Sequence, residues 1–343
     1  MTTISVAIIG LGRIGTSVGL ALKRYNASKN SQQQFEITGF DTLNANLKNA
    51  KDTGAIDGSG RGVDATAEGK DIVVLALPYG EVEGALRLMG ESLRPGAVVL
   101  DFATLKRPSL AWAGKHLADE SHLVGVTAVL NPKYLFDGLD DAEHAAADLF
   151  DKGGMLLAPG VKCAKEAVEL AADFTDLIGA TTYFADPTEH DSWIAGTEAL
   201  PAALGAAFYH TLSQHPGWGD IQRTGNPSFG RLTHHLADTH PDDLRDLLLA
   251  SREDLARQID ALTETLTAMR QILAANDQDT LEALLVNAAE TYEQWYARRQ
   301  RGRWQEDDTG AASETRGGAI MTGLLGSYLS RRISGDKNDN NKA

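Results

Sequence analysis

The chain has 343 residues, 43% hydrophobic and 23% charged, which is ordinary for a globular protein and long enough for two domains with separate cores. Its net charge of -15 argues against a nucleic-acid partner, which needs a basic face, and no stretch approaches the roughly 20 apolar residues of a membrane span. One cysteine, Cys163, rules out an internal disulfide, and the N-terminus runs into a strand pattern without a leader's features, so a cytoplasmic protein is expected.

Ser5 to Ile9 is an apolar run, as expected of a strand buried on both faces of a parallel sheet. It leads into Gly10-Leu11-Gly12-Arg13-Ile14-Gly15, which opens a helix running to Arg24. This strand–turn–helix context makes the glycine pattern a dinucleotide fingerprint. Gly10 permits the tight turn, Gly12 admits the pyrophosphate and Gly15 allows close helix packing, with Arg13 and Ile14 completing the cofactor contacts. Phe35 to Phe40 reads as the second strand, and Asp41 ends it, 26 residues after Gly15. A carboxylate there accepts hydrogen bonds from ribose hydroxyls and repels a 2′-phosphate. Thr42, Leu43 and Asn44 add no cation, so NAD is favoured over NADP, with Arg13 the one residue arguing otherwise.

Further strands are expected at Asp71 to Leu77, Ala97 to Asp101, His122 to Leu130 and Thr181 to Ala185, with helical segments such as Gly80 to Met89 between them. This alternation predicts an α/β Rossmann-type doubly wound sheet, with Leu77 and Pro78 on the nicotinamide side. After Asp186-Pro187 an all-α C-terminal domain is expected. Glu189 to His210 reads as one helix kinked at Pro201, and 216–231 as loop. Leu255, Ile259, Leu262, Leu266, Met269 and Leu273 form a narrow apolar seam, broken at Asn276-Asp277 before a second helix, which gives an antiparallel hairpin. The seam packs either within the chain or across a homodimer interface. The domains predicted are 1–186 for the dinucleotide, 187–305 for substrate and dimerisation, and a polar tail 306–343 with a short amphipathic helix over Ala319 to Ile333.

Several segments in order carry a family resemblance: the Gly10–Gly15 turn, Asp71 to Pro78, Asp101-Phe-Ala-Thr-Leu-Lys106, Asp148-Leu-Phe150, Met155 to Pro159, Glu189-His-Asp191 and Glu293 to Arg299. Over roughly residues 4–305 the chain resembles the prephenate and arogenate dehydrogenases. The resemblance implies NAD(P)-dependent oxidative decarboxylation and a homodimer formed by the second domain. It also implies a histidine base in a His-Pro dipeptide. Here that dipeptide is Asn131-Pro132, or, matched at Val124-Gly125, the base position falls on Thr127. The family's Ser-His-Leu-Pro-His stretch is Thr197 to Ala202, and its Gly-Phe-Arg segment corresponds to Gly225-Asn-Pro227, with Arg231 matching a later arginine.

The candidate catalytic residues are therefore Thr104 and Lys106 at a strand's carboxyl end, Asn131, His190 and Glu198. Lys133, Tyr134, Asp137 and Arg231 are candidates for substrate binding. No His/Cys spacing suggests a metal. The reading is an NAD-dependent oxidoreductase acting on a small carboxylated, cyclic substrate. The alternatives are a divergent reductase for another substrate, such as an imine, or a non-catalytic nucleotide-sensing dimer.

Overall fold

The computed structural model describes residues 2–29, 31–137, 139 and 141–302, so the helix expected in the tail lies outside the described residues. The strands are β1 Thr2–Ile9, β2 Gln33–Phe40, β3 Gly58–Ser59, β4 Ile72–Leu75, β5 Val98–Asp101, β6 His122–Val129, β7 Gly154–Pro159 and β8 Thr181–Phe184. They form one sheet in the order β3-β2-β1-β4-β5-β6-β7-β8. Helices α1 Arg13–Asn26, α2 Asn44–Asp52, α3 Val63–Ala67, α4 Val82–Met89, α5 Lys106–His116 and α6 Lys165–Leu177 complete this part.

Both faces of the sheet are covered, which is why its central strands lack polar alternation. Ile4, Val6 and Ile8 join one core with Leu22 and Phe174, while Ala7 and Ile9 join another with Leu86 and Met89. Each large aliphatic side chain buried this way stabilises the fold by about 1.5–3 kcal/mol. β1, β2, β4, β5 and β6 pair in parallel, so their carboxyl ends open on one edge. The doubly wound sheet expected from the sequence is present, with one strand reversed. β7 runs antiparallel to β6, with Thr127 opposite Leu156. Among the described residues, the connection between them holds short turns at Pro132–Tyr134 and Ala142–His144 in place of the crossover helix a parallel return requires.

The second part is helical: α7 Pro187–Ile194, a π turn at Ala195–Ala199, α8 Leu200–Ser213, α9 Trp218–Ile221, α10 Pro227–Thr233, α11 His235–Asp238, α12 Pro241–Ala250, α13 Arg252–Ala275 and α14 Gln278–Arg301. The expected kink at Pro201 is realised as the π turn before it. Proline lacks an N–H and its ring clashes with the carbonyl four residues back, and the wider turn relieves both problems. The loop expected over 216–231 is instead largely helical. Asn226 accepts from Ser228 N at 3.2 Å and Pro227 occupies the first turn, a helix-start signal outweighed by the segment's glycines. Asn276 at φ 51° and the Asp277 cap turn α13 into α14. Leu255 is buried and Leu262 and Met269 are half-buried, whereas Ile259, Leu266 and Leu273 are 41%, 54% and 59% exposed, so half of the seam is left open by the described residues. No helix among the described residues is long and apolar enough to cross a membrane.

Candidate functional site

The glycine turn is built as its spacing implies. Gly10 has φ +91°, and a Cβ there would lie 2.2 Å from Ala76 O, while one at Gly15 would lie 1.9 Å from Gly10 O. A Cβ at Gly12 meets nothing within 4 Å, because it points into open space. No side chain caps the start of α1 and its first turn carries no acidic residue, so the helix's positive end faces the cleft. That cleft, about 510 Å³, is lined by Gly10, Gly12, Asp41, Leu43, Leu77 and Pro78 among others. Asp41 stands at its rim, accepting from Leu11 N and Leu43 N at 2.7 Å each. The open space at Gly12, the uncapped helix end and a fixed carboxylate beyond β2 fit a dinucleotide with the pyrophosphate at Gly12 and a ribose at Asp41.

Of the expected cofactor contacts, Ile14 is half-buried against the core at the start of α1, and Arg13 is corrected. Arg13 is 3% exposed: its guanidinium donates to both Asp137 oxygens at 3.0 and 2.6 Å and to His144 O at 3.2 Å, and it lies 5.0 Å from the Tyr134 ring centre. It straps loop 131–148 to the start of α1 and is not placed to receive a 2′-phosphate. Asp137, expected to bind substrate, is its partner, and the Arg13 hydrogen bond holds its carboxyl below the usual range.

Lys106 requires a larger correction. It is fully buried, and its ammonium donates to the carbonyls of Ala103, Asp101 (3.3 Å) and Val126 (2.9 Å), so all its protons are used. Burial pulls its pKa down to about 8 against the attraction of Asp101 and Asp191. Gly125 makes room for it, since a Cβ there would lie 2.6 Å from the lysine Cδ. Lys106 therefore stitches β5 to β6 and does not reach a substrate. Asn131 is likewise committed, donating to Asp148 O (3.0 Å) and accepting from Lys133 N (3.2 Å). Lys133 pairs with Asp148, and the Tyr134 hydroxyl donates to Asp148 at 2.7 Å. These residues tie the loop together. Glu198 is exposed on the π turn and Arg231 is exposed on α10. Thr104, half-buried just past β5, stays at the carboxyl edge. Burial pushes the Cys163 thiol up to about 11, which makes it a poor nucleophile.

His190 is the candidate that the fold places in a chemically useful setting. Its Nε2 lies 2.8 Å from Thr127 Oγ1, and its Nδ1 lies 2.9 Å from Asp191 Oδ1. Asp191, not among the expected site residues, also accepts from the backbone N–H groups of Lys106 (2.8 Å) and Arg107 (3.0 Å). Burial raises its carboxyl, but the His190 and backbone hydrogen bonds outweigh this and hold it below the ordinary range. The Glu189-His-Asp191 motif was the available signal for Asp191.

A family model described as "Prephenate dehydrogenase, nucleotide-binding domain" matches residues 19–184, and one described as "Prephenate dehydrogenase, dimerization domain" matches 186–287. The chain belongs to the prephenate dehydrogenase family. The prephenate dehydrogenase of Bacillus subtilis is 24% identical over 307 residues, 87% of this chain and 77% of the relative. The cyclohexadienyl dehydrogenase of Zymomonas mobilis is 24% identical over 284 residues, 80% and 90% of the two chains. A crystal structure of Aquifex aeolicus prephenate dehydrogenase with hydroxyphenyl propionate and NAD+ shares the fold, with a TM-score of 0.72, 20% identity and coverage of 86% and 99%. As in the family, a nucleotide-binding unit here precedes a dimerisation unit.

Proposed function

We propose that the chain is an NAD-dependent dehydrogenase that oxidises prephenate or arogenate, with residues 1–186 holding the cofactor and 187–305 walling the substrate cleft and forming a homodimer. One observation carries this reading. The open cradle at Gly12 and the Thr127–His190–Asp191 chain, buried at its histidine and aspartate, belong to the same carboxyl edge of the sheet's parallel strands, where open α/β sheets bind their ligands. NAD, when bound, accepts hydride from the ring carbon bearing the hydroxyl. That hydroxyl loses its proton, and the ring carboxylate leaves as CO2 as the ring becomes aromatic. Asp41 selects NAD over NADP, because a 2′-phosphate beside its carboxylate is repelled and Arg13 is engaged elsewhere. The single Cys163 suits the reducing cytoplasm, where we place the protein.

The test follows the absorbance of the reduced nicotinamide with prephenate and with arogenate, each supplied with NAD or NADP. Turnover with either acid and NAD supports the reading. Absence of turnover with both, alongside tight NAD binding, would leave the nucleotide-sensing dimer as the better account.

A further inference from the structure

Asp191, Thr127 and the ring between them fix one another's protons. Four N–H groups converge on Asp191: the backbone groups of Lys106 and Arg107, the Arg107 guanidinium at 3.2 Å and the His190 ring. Its carboxylate is acceptor-only, so His190 Nδ1 carries the proton towards it. A neutral imidazole with Nδ1–H has Nε2 as an acceptor, and the Thr127 hydroxyl therefore donates to Nε2. The Thr127 oxygen is left with lone pairs and no proton of its own to give elsewhere. His190 and Asp191 are 1% and 2% exposed, whereas Thr127 is only half-buried. A substrate can reach the threonine and not the histidine. The other charged groups packed around the pair are Lys106 and Arg107 of α5 and, beyond Arg107, Asp254 of α13 at 3.7 Å.

We propose that Thr127 is a catalytic residue: it accepts the substrate's hydroxyl proton as it passes its own proton to His190 Nε2, while Asp191 holds the imidazole in register. The proposal rests on the dehydrogenase reading above. The balance is complete. With NAD bound, the substrate C–H electron pair would leave as hydride, the O–H pair would become a C=O bond, and the proton would rest on His190 as an imidazolium against Asp191. As the ring carboxylate leaves as CO2, its C–C pair completes the aromatic ring and the carbonyl pair returns to oxygen, which takes the proton back through Thr127, so no proton is left over. A threonine cannot serve as a base alone, since its hydroxyl titrates far from neutral pH, but it can conduct a proton to a positioned imidazole.

The test compares Thr127→Ser, which keeps the hydroxyl, with Thr127→Val, which keeps the shape. On whichever acid the enzyme oxidises, Ser should retain most of kcat, and Val should lose about 10²-fold or more. NAD affinity, read by tryptophan fluorescence, should match in both. Separately, nitrogen-15 histidine spectra, with His190 assigned by its loss in His190→Gln, should show Nδ1 protonated and Nε2 bare, with Nε2 shifting in Thr127→Val. Protonated Nε2, an active Val variant, or a Val variant that loses NAD binding would each overturn the relay. If the unmodified protein oxidises neither acid, the dehydrogenase reading fails, and the nitrogen spectrum still decides whether the proton chain exists.

Discussion

Asp191 Oδ1 accepts the backbone N–H of Lys106 at 2.8 Å, so a carboxylate of α7 caps the start of α5 and couples the two halves of the chain. The lysine's own side chain turns inward to three carbonyls. Two effects oppose each other there. The carbonyls hold the ammonium, while burial disfavours its charge.

Lys106→Ala should therefore act first on stability, lowering it by about 3 kcal/mol through a cavity and three unpaired carbonyls, as read by urea unfolding. Lys106→Met should cost less, because it keeps the volume. The pH dependence follows from a folded pKa near 8 that lies below the ordinary 10.5. The unfolded chain then holds the proton more tightly. The charge weighs against folding below pH 8, and that burden is relieved as pH rises from 8 towards 10.5. The stability gap between wild type and Lys106→Met should shift in favour of the wild type between pH 7 and 10. A pH-independent gap would contradict this.

Gly12 and Gly15 should separate binding from folding. A side chain at Gly12 enters empty space in the free protein, so Gly12→Val should leave thermal unfolding unchanged and abolish NAD binding in calorimetry. Gly15→Ala drives a methyl against Gly10 O and should lower the unfolding temperature itself. Equal stability losses in both variants would mean that Gly12 is there for folding.

The nucleotide turn was legible because its function lives in backbone geometry that local spacing dictates. The substrate side was legible only in part. Thr104, Lys106 and Asn131 follow strand ends, the expected place for chemistry, yet which way each side chain turns depends on partners far along the chain. Lys106 meets Val126, Asn131 meets Asp148 and Thr127 meets His190, 63 residues away. No local periodicity encodes such pairings. The reversal at β7 was hidden for a related reason, since an apolar run reads alike in either direction.

The exposed seam of α13 yields an oligomer prediction. Leu266 and Leu273 are 54% and 59% exposed, and Tyr292 and Trp295 on α14 are 49% and 38% exposed. Large apolar groups concentrated on one hairpin need a cover. Light scattering should give twice the chain mass, and Leu266→Glu with Leu273→Glu should halve it while keeping the helical circular dichroism. An unchanged mass in the double variant would move the interface elsewhere.

Asp173 on α6 supplies the last prediction. It is 8% exposed, and burial, together with nearby Asp176 and Glu169, pushes its carboxyl up to about 6. The folded chain therefore binds this proton more tightly than the unfolded one, where the group titrates near 3.8. Its contribution to stability is fully present below pH 3.8 and is lost as pH rises to 6, after which the buried charge remains a burden. Asp173→Asn keeps the shape and cannot ionise. After allowance for partial solvent screening the gain at pH 7.5 should be about 1 kcal/mol, and it should vanish near pH 4. Thermal unfolding of the two proteins at both pH values decides it. A gain of the same size at pH 4 would mean that asparagine stabilises by a new hydrogen bond and not by removing a charge.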